Sequence, residues 1–259
     1  MKFFYSLALL LLFITQETIS QQPPMPGSYK MLKQMANFGS GDTAFTNDQF
    51  KIYTDRHFMF VSQHISDSLG EYGIGTYKIV GDSVVENIIH STFSDNIGGG
   101  SGIGLKITKL PKGYRQVIKF MDSANRPYLL TEEYENVGNN VKSPLDGAWK
   151  QTKNVYYSKS DSSINNITQY KIYYAGHFIW AGSNTGSATG RPITYFGYGT
   201  FKMTGKNKSV EVNQNSSLKS MLVGKPISLK IEMMGSDTYK QINVSADGNR
   251  NEETYERLK

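Results

Sequence analysis

Apolar and polar positions alternate along most of this chain. In Gln49-Phe50-Lys51-Ile52-Tyr53, Phe50 and Ile52 share one side, and in Phe58-Met59-Phe60 the two phenylalanines do. A period of two is the mark of a strand. Such runs recur at the roughly 8–12-residue spacing of sandwiches and barrels. The pattern predicts strands at 29–36, 49–53, 57–63, 73–80, 83–92, 103–110, 113–120 and 126–137. A second set falls at 149–157, 168–174, 177–183, 195–204, 208–218, 226–234, 237–243 and 250–258. No long stretch carries a helical period.

The two sets are one set written twice. Gln49-Phe50-Lys51-Ile52-Tyr53 returns as Gln169-Tyr170-Lys171-Ile172-Tyr173, and His57-Phe58-Met59-Phe60 returns as His177-Phe178-Ile179-Trp180, 120 residues later. Gly27-Ser28-Tyr29-Lys30 matches Gly147-Ala148-Trp149-Lys150. Gly73-Ile74-Gly75-Thr76 matches Gly197-Tyr198-Gly199-Thr200, and Tyr134-Glu135 matches Tyr255-Glu256. That period is too long for a solenoid unit and suits a whole domain. Eight strands per copy is the number that closes a small barrel. The expectation is all-β: two tandem eight-stranded antiparallel up-and-down barrels at 27–138 and 147–259, joined by a polar linker at 139–146. Asp55-Arg56 and Ala175-Gly176 sit where two-residue hairpin loops belong. Gly-x-Gly at 73–75 and 197–199 reads as a sharp bend.

Lys2 followed by the apolar stretch 3–15 has the form of a signal peptide, expected to end at Ser20 and to leave a proline-rich leader at 21–26. The stretch is shorter than the ~20 residues of a membrane span. A secreted or periplasmic location follows. The chain has no cysteine, so its core must be held by ordinary packing. Its net charge of +6 comes from scattered lysines and arginines, with no run and no nucleic-acid module, so no nucleic-acid partner is expected. Asn166-Ile167-Thr168 and Asn215-Ser216-Ser217 match the glycosylation acceptor pattern.

Gly147-Ala148-Trp149 opens the first strand of copy two, and Arg257 lies in its last. That pairing resembles the lipocalin, or calycin, signature. The wider pattern resembles uncharacterised lipocalin-like domains of secreted Bacteroidetes proteins. The resemblance implies a barrel plugged at its closed end by Trp149 beneath Arg257. Copy one departs from it with Tyr29 and Asn136. The resemblance implies a fold and not an activity.

Candidate chemistry is sparse. There is no cysteine nucleophile and no Gly-x-Ser-x-Gly elbow. His57 and His177 recur, but each follows a turn and neither has the further ligands a metal needs. Glu86 and Glu211 recur without an evident partner. Gly98-Gly99-Gly100 fits no phosphate loop. No metal and no cofactor are expected. The leading expectation is a secreted, non-enzymatic binder of a small apolar or amphipathic ligand. Its cavity wall would be Phe50, Phe58, Phe60, Tyr170, Phe178 and Trp180, with Thr76, Lys78, Thr200 and Lys202 orienting the ligand. The alternatives are an interaction module with filled barrels, and a calycin-type isomerase or hydrolase using Glu86 or Glu211.

Overall fold

The structure, a computed structural model, describes residues 23–64, 70–92, 102–122, 124–165, 167–184 and 193–259. The expected signal peptide, the glycines at 98–100 and the acceptor Asn166 lie outside the described residues. The first half comprises β1 (Gly27–Asn37), β2 (Asp42–Phe45), β3 (Asn47–Tyr53), β4 (His57–His64), β5 (Gly70–Val80), β6 (Ser83–Ser91), β7 (Ile103–Leu110), β8 (Gly113–Met121) and β9 (Pro127–Asn136). The second half comprises β10 (Gly147–Tyr157), β11 (Ser162–Ile164), β12 (Thr168–Tyr174), β13 (His177–Asn184), β14 (Ile193–Gly205) and β15 (Lys208–Ser216). It continues with a one-turn helix α1 (Lys219–Leu222), β16 (Pro226–Met233), β17 (Thr238–Val244) and β18 (Arg250–Arg257).

Each half is a closed antiparallel barrel of eight strands. In the first, the order β1-β3-β4-β5-β6-β7-β8-β9 returns to its start through pairs such as Tyr29↔Asn136. In the second, β18 closes on β10 through Trp149↔Arg257. Closure leaves no free edge in the ring. β2 and β11 are short arms that pair with the outer halves of β1 and β10. They carry few apolar residues and give no alternation to read.

The hairpins behave as their residues require. Tyr174 pairs with His177 across Ala175 (φ 51°) and Gly176 (φ 78°), two left-handed residues in a row. That is the geometry a two-residue loop needs to follow strand twist. The Gly-x-Gly segments coincide with matching register shifts at Ile74/Gly75 and Tyr198/Gly199. A Cβ on Gly75 would stand 2.0 Å from Asn87 O, and one on Gly199 would stand 1.9 Å from Val212 O. Only glycine lets the strands approach so closely at the bend.

Three cores form. One fills the first barrel around Tyr29, Tyr53, Phe58, Tyr114 and Tyr134. Another fills the second around Trp149, Tyr173, Phe178, Tyr239 and Tyr255. The third lies between the barrels. Phe50, Ile52, Met59, Val61, Tyr72 and Ile74 of β3–β5 meet Tyr170, Ile172, Ile179, Ala181, Phe196 and Tyr198 of β12–β14. The two patches occupy equivalent positions of the repeat, so this is an isologous contact within one chain. Phe50 stacks on Tyr198 with ring centroids 4.7 Å apart. Asp48 accepts 2.7 Å bonds from the Tyr198 hydroxyl and a 2.6 Å bond from Asn215 Nδ2. Asn215, which matches the glycosylation acceptor pattern, therefore has its amide engaged between the barrels.

Candidate functional site

The chemistry of each barrel sits inside it, and its source is the short run Gln-x-Lys-x-Tyr. On β3 the side chains of Gln49, Lys51 and Tyr53 point inward, because Lys51 and Tyr53 stand opposite Phe60 and Phe58. Lys51 is buried, and its ammonium lies 2.7 Å from Glu86 Oε1. The Tyr53 hydroxyl donates to the same carboxylate oxygen. The rings of Tyr53, Phe58 and Phe60 flank the ammonium at 5.2–5.6 Å, within cation–π range. The second barrel repeats this. Lys171 Nζ donates to Glu211 Oε1 at 2.8 Å and Oε2 at 3.0 Å, and Tyr173 donates to Oε1 at 2.6 Å. Burial first, and then the neighbouring carboxylate, pushes both tyrosines well above the ordinary phenol range, so they serve as donors.

A second carboxylate stands above each pair. Glu132 accepts from Gln34 Nε2 at 2.6 Å and from the Tyr134 hydroxyl at 2.8 Å, and also from Gln116 Nε2. Glu253 accepts from the Tyr255 hydroxyl at 2.7 Å, from Asn251 Nδ2 at 2.9 Å and from Gln241 Nε2. Burial pushes the Glu253 carboxyl upward. Each interior thus carries two carboxylates and one ammonium.

The barrels differ in how this glutamine is engaged. Gln241 Oε1 accepts a 3.1 Å bond from Lys171, which joins the two acids of barrel two into one network. The equivalent Gln116 Oε1 is buried and has no partner among the described residues. Its orientation is fixed, because turning the amide over would set its oxygen against Glu132.

These polar groups border a cavity in each barrel. That of barrel one is about 420 Å³ and that of barrel two about 440 Å³, both within the range of small-molecule sites. Barrel one has Lys51, Glu86, Gln116 and Glu132 at the buried end and Phe120, Met121, Tyr128 and Leu130 at the partly exposed end. In barrel two, Leu218 and Leu222 of the α1 turn enter the lining. There Trp180 Nε1 donates to Asn213 at 3.1 Å.

The structure redistributes the residues expected on the cavity wall. Phe60 and Trp180 line the cavities. Phe58 and Phe178 lie deeper, in the packed cores. Phe50 and Tyr170 face outward into the contact between the barrels. Alternation fixes this, since the lysines beside them point in. Thr76 and Thr200 stand opposite His57 and His177 on the outward face. Lys78 and Lys202 follow them on that face and are exposed. None of these four lines a cavity, and the inward residues there are Tyr77 and Phe201.

The recurring histidines also face away from the interiors. His177 Nδ1 lies 3.2 Å from Ala175 O of its own turn, and its ring packs 5.6 Å from Phe50 across the contact. Burial lowers both imidazole pKa values. Among the described residues no group of acids and histidines is arranged to hold a metal.

Trp149 is fully buried and donates from Nε1 to Leu145 O at 2.8 Å. The Arg257 guanidinium carbon lies 4.0 Å from the centre of its ring. The same guanidinium donates to Ser236 O at 3.0 Å and to Asp146 O at 2.8 Å. In barrel one Tyr29 donates instead to Pro24 O, and Met25 packs below it. The end of barrel one is thus plugged without a cation.

Fold and site together define a pair of closed β-barrels, each with a charged, hydrogen-bonded floor. A family model described as "Domain of unknown function (DUF4488)" matches residues 144–259. No curated protein matches the sequence. Among solved structures, a redesigned beta barrel is similar at 16% identity and a TM-score of 0.29, over 45% of this chain and 93% of that one. A protein of unknown function from the DUF3598 family of Nostoc punctiforme PCC 73102 is similar at 12% identity and a TM-score of 0.27, over 90% of this chain and 96% of that one. The barrel description rests on this chain's own strand pairing.

Proposed function

We propose that the protein is a secreted or periplasmic, non-enzymatic, lipocalin-like binder, and that barrel one takes up a small apolar or amphipathic molecule. The observation that carries this reading is the gradient inside barrel one. Its mouth offers Phe120, Met121, Tyr128 and Leu130, and its floor offers oriented polar groups. Burial of a ligand's apolar body against that wall supplies affinity, and the floor supplies orientation. The carboxylates serve this role better than acid–base catalysis, since each is already held by two or more donors. The N-terminal apolar stretch supports export.

The experiment is fluorescence titration with N-phenyl-1-naphthylamine, which brightens in apolar sites. Saturable enhancement is expected, and Leu130→Trp, which fills the mouth, should abolish most of it. An absent or unsaturable signal refutes the reading, as does one that Leu130→Trp leaves unchanged.

A further inference from the structure

We infer that barrel one seats a ligand head group that is positively charged and rich in N–H donors, a primary alkylammonium in chemical class, and that barrel two does not. The inference rests on the binding reading above and adds the head group and the copy that holds it.

Three observations converge. Gln116 Oε1 is a buried acceptor at the cavity with its orientation fixed and no partner among the described residues. A buried acceptor left unpaired is costly, and a ligand N–H that reaches it removes that cost. The charge balance has the matching sign. Glu86 and Glu132 face one ammonium, Lys51. Lys51 is already committed to Glu86 and to three aromatic rings, so an anionic head group would meet excess like charge. The mouth is apolar beyond the cavity itself, where Phe38 stacks on Tyr128 at 4.9 Å and is half exposed. That surface suits an alkyl tail leaving a head group held at the floor.

Barrel two lacks the decisive element. Lys171 already fills Gln241 Oε1, so this acceptor needs no guest. The lysine contact to Gln241 separates a closed network in barrel two from an open acceptor at Gln116 in barrel one.

The test is isothermal titration of the full chain, below micelle formation, with decylammonium, decyltrimethylammonium, decanol and decanoate. Decylammonium should bind at one site. It should bind about tenfold or more tightly than decanol or decyltrimethylammonium, a gap of about 1.4 kcal/mol, with decanoate weakest. The trimethylated probe keeps the charge and removes every N–H, so this comparison needs no altered protein. Glu132→Gln should cost decylammonium about tenfold and leave decanol nearly unchanged, while Glu253→Gln should leave both unchanged. If decanoate or decanol binds as well as decylammonium, the head-group inference fails and the binding reading stands. Equal binding of the trimethylated probe refutes the role of the Gln116 acceptor. Two sites, or sensitivity to Glu253→Gln, refutes the assignment to barrel one. If none of the four binds, the binding reading itself fails.

Discussion

Replacing Lys171 by methionine isolates the energetics of the barrel floor. Lys171 and Glu211 are 3% and 5% exposed, so their attraction is weakly screened by bulk solvent. The substitution keeps the unbranched shape and most of the length of the side chain and removes the ammonium. Glu211 then retains the Tyr173 bond alone, and Gln241 Oε1 loses its donor. Breaking a buried pair from one side costs about 3–5 kcal/mol. The carboxylate has one escape, which is to take up a proton. With an ordinary Glu pKa of about 4.3, protonation at pH 7 costs about 3.7 kcal/mol, and this caps the electrostatic part. The sign follows from linkage. In the variant, the folded state holds Glu211's proton more tightly than the unfolded state does. The penalty is therefore full at pH 7 and falls away as the pH drops towards about 4.3. Urea unfolding of both proteins at pH 7 and pH 4.5 measures it. A loss of about 3–5 kcal/mol at pH 7 that shrinks by about 3 kcal/mol at pH 4.5 is expected. Adding Glu211→Gln should recover much of the loss at pH 7. A loss independent of pH, or none, would refute the claim that this pair is a desolvated charge pair.

Four further outcomes are expected. Trp149→Ala should cost about 3–5 kcal/mol and Arg257→Ala about 1–2 kcal/mol, with clear coupling in a double-mutant cycle because the two share one contact; additive losses would count against the plug. Asn136→Ala, at the equivalent place in barrel one, should be milder, since Tyr29 finds its partner in Pro24. Burial pushes the Asp146 carboxyl up to about 6, so the native protein should lose stability as pH rises from about 4 through that value. Asp146→Asn should stabilise above pH 6 and not below pH 4, by about 1 kcal/mol once partial exposure is discounted; thermal melts across that range decide it, and a gain of equal size at all pH values would contradict the assignment. A chain cut to residues 147–259 should fold, since β18 closes on β10 within it, and should self-associate through the uncovered patch at Ile172, Ile179 and Phe196. Sedimentation that finds only a monomer at high concentration would argue against that patch being sticky.

Much of the fold was legible because strands, hairpins and repeats are written locally. Ala175-Gly176 supplied its loop, Gly-x-Gly its bend, and Trp149 with Arg257 its closure. What was not legible is which face of β3 and β4 is the inside. An aromatic stripe at Phe50 and Ile52 reads as core, and it is core, but of the contact between the barrels. Lys51 reads as solvent-facing because lysine is rarely buried unless paired. Its partner Glu86 lies on another strand, so no local pattern announces the pair. The recurrence of both residues at matching places in the two copies was the available signal. The isolated glutamates needed that lysine to become a site.

The contact between the two halves uses the same patch from each, as a two-fold dimer would. Two separate identical subunits could build that contact, but they would have to share one sequence. A single mutation would then alter both pockets, and assembly would weaken on dilution. Joining the copies in one chain makes their meeting independent of concentration. It also frees each copy to drift alone. The plug has diverged to Tyr29 in one barrel and to Trp149 with Arg257 in the other. One floor has an open acceptor at Gln116, and in the other Gln241 is engaged by Lys171. Covalent linkage of this kind lets the two floors differ, one closed on itself and the other open.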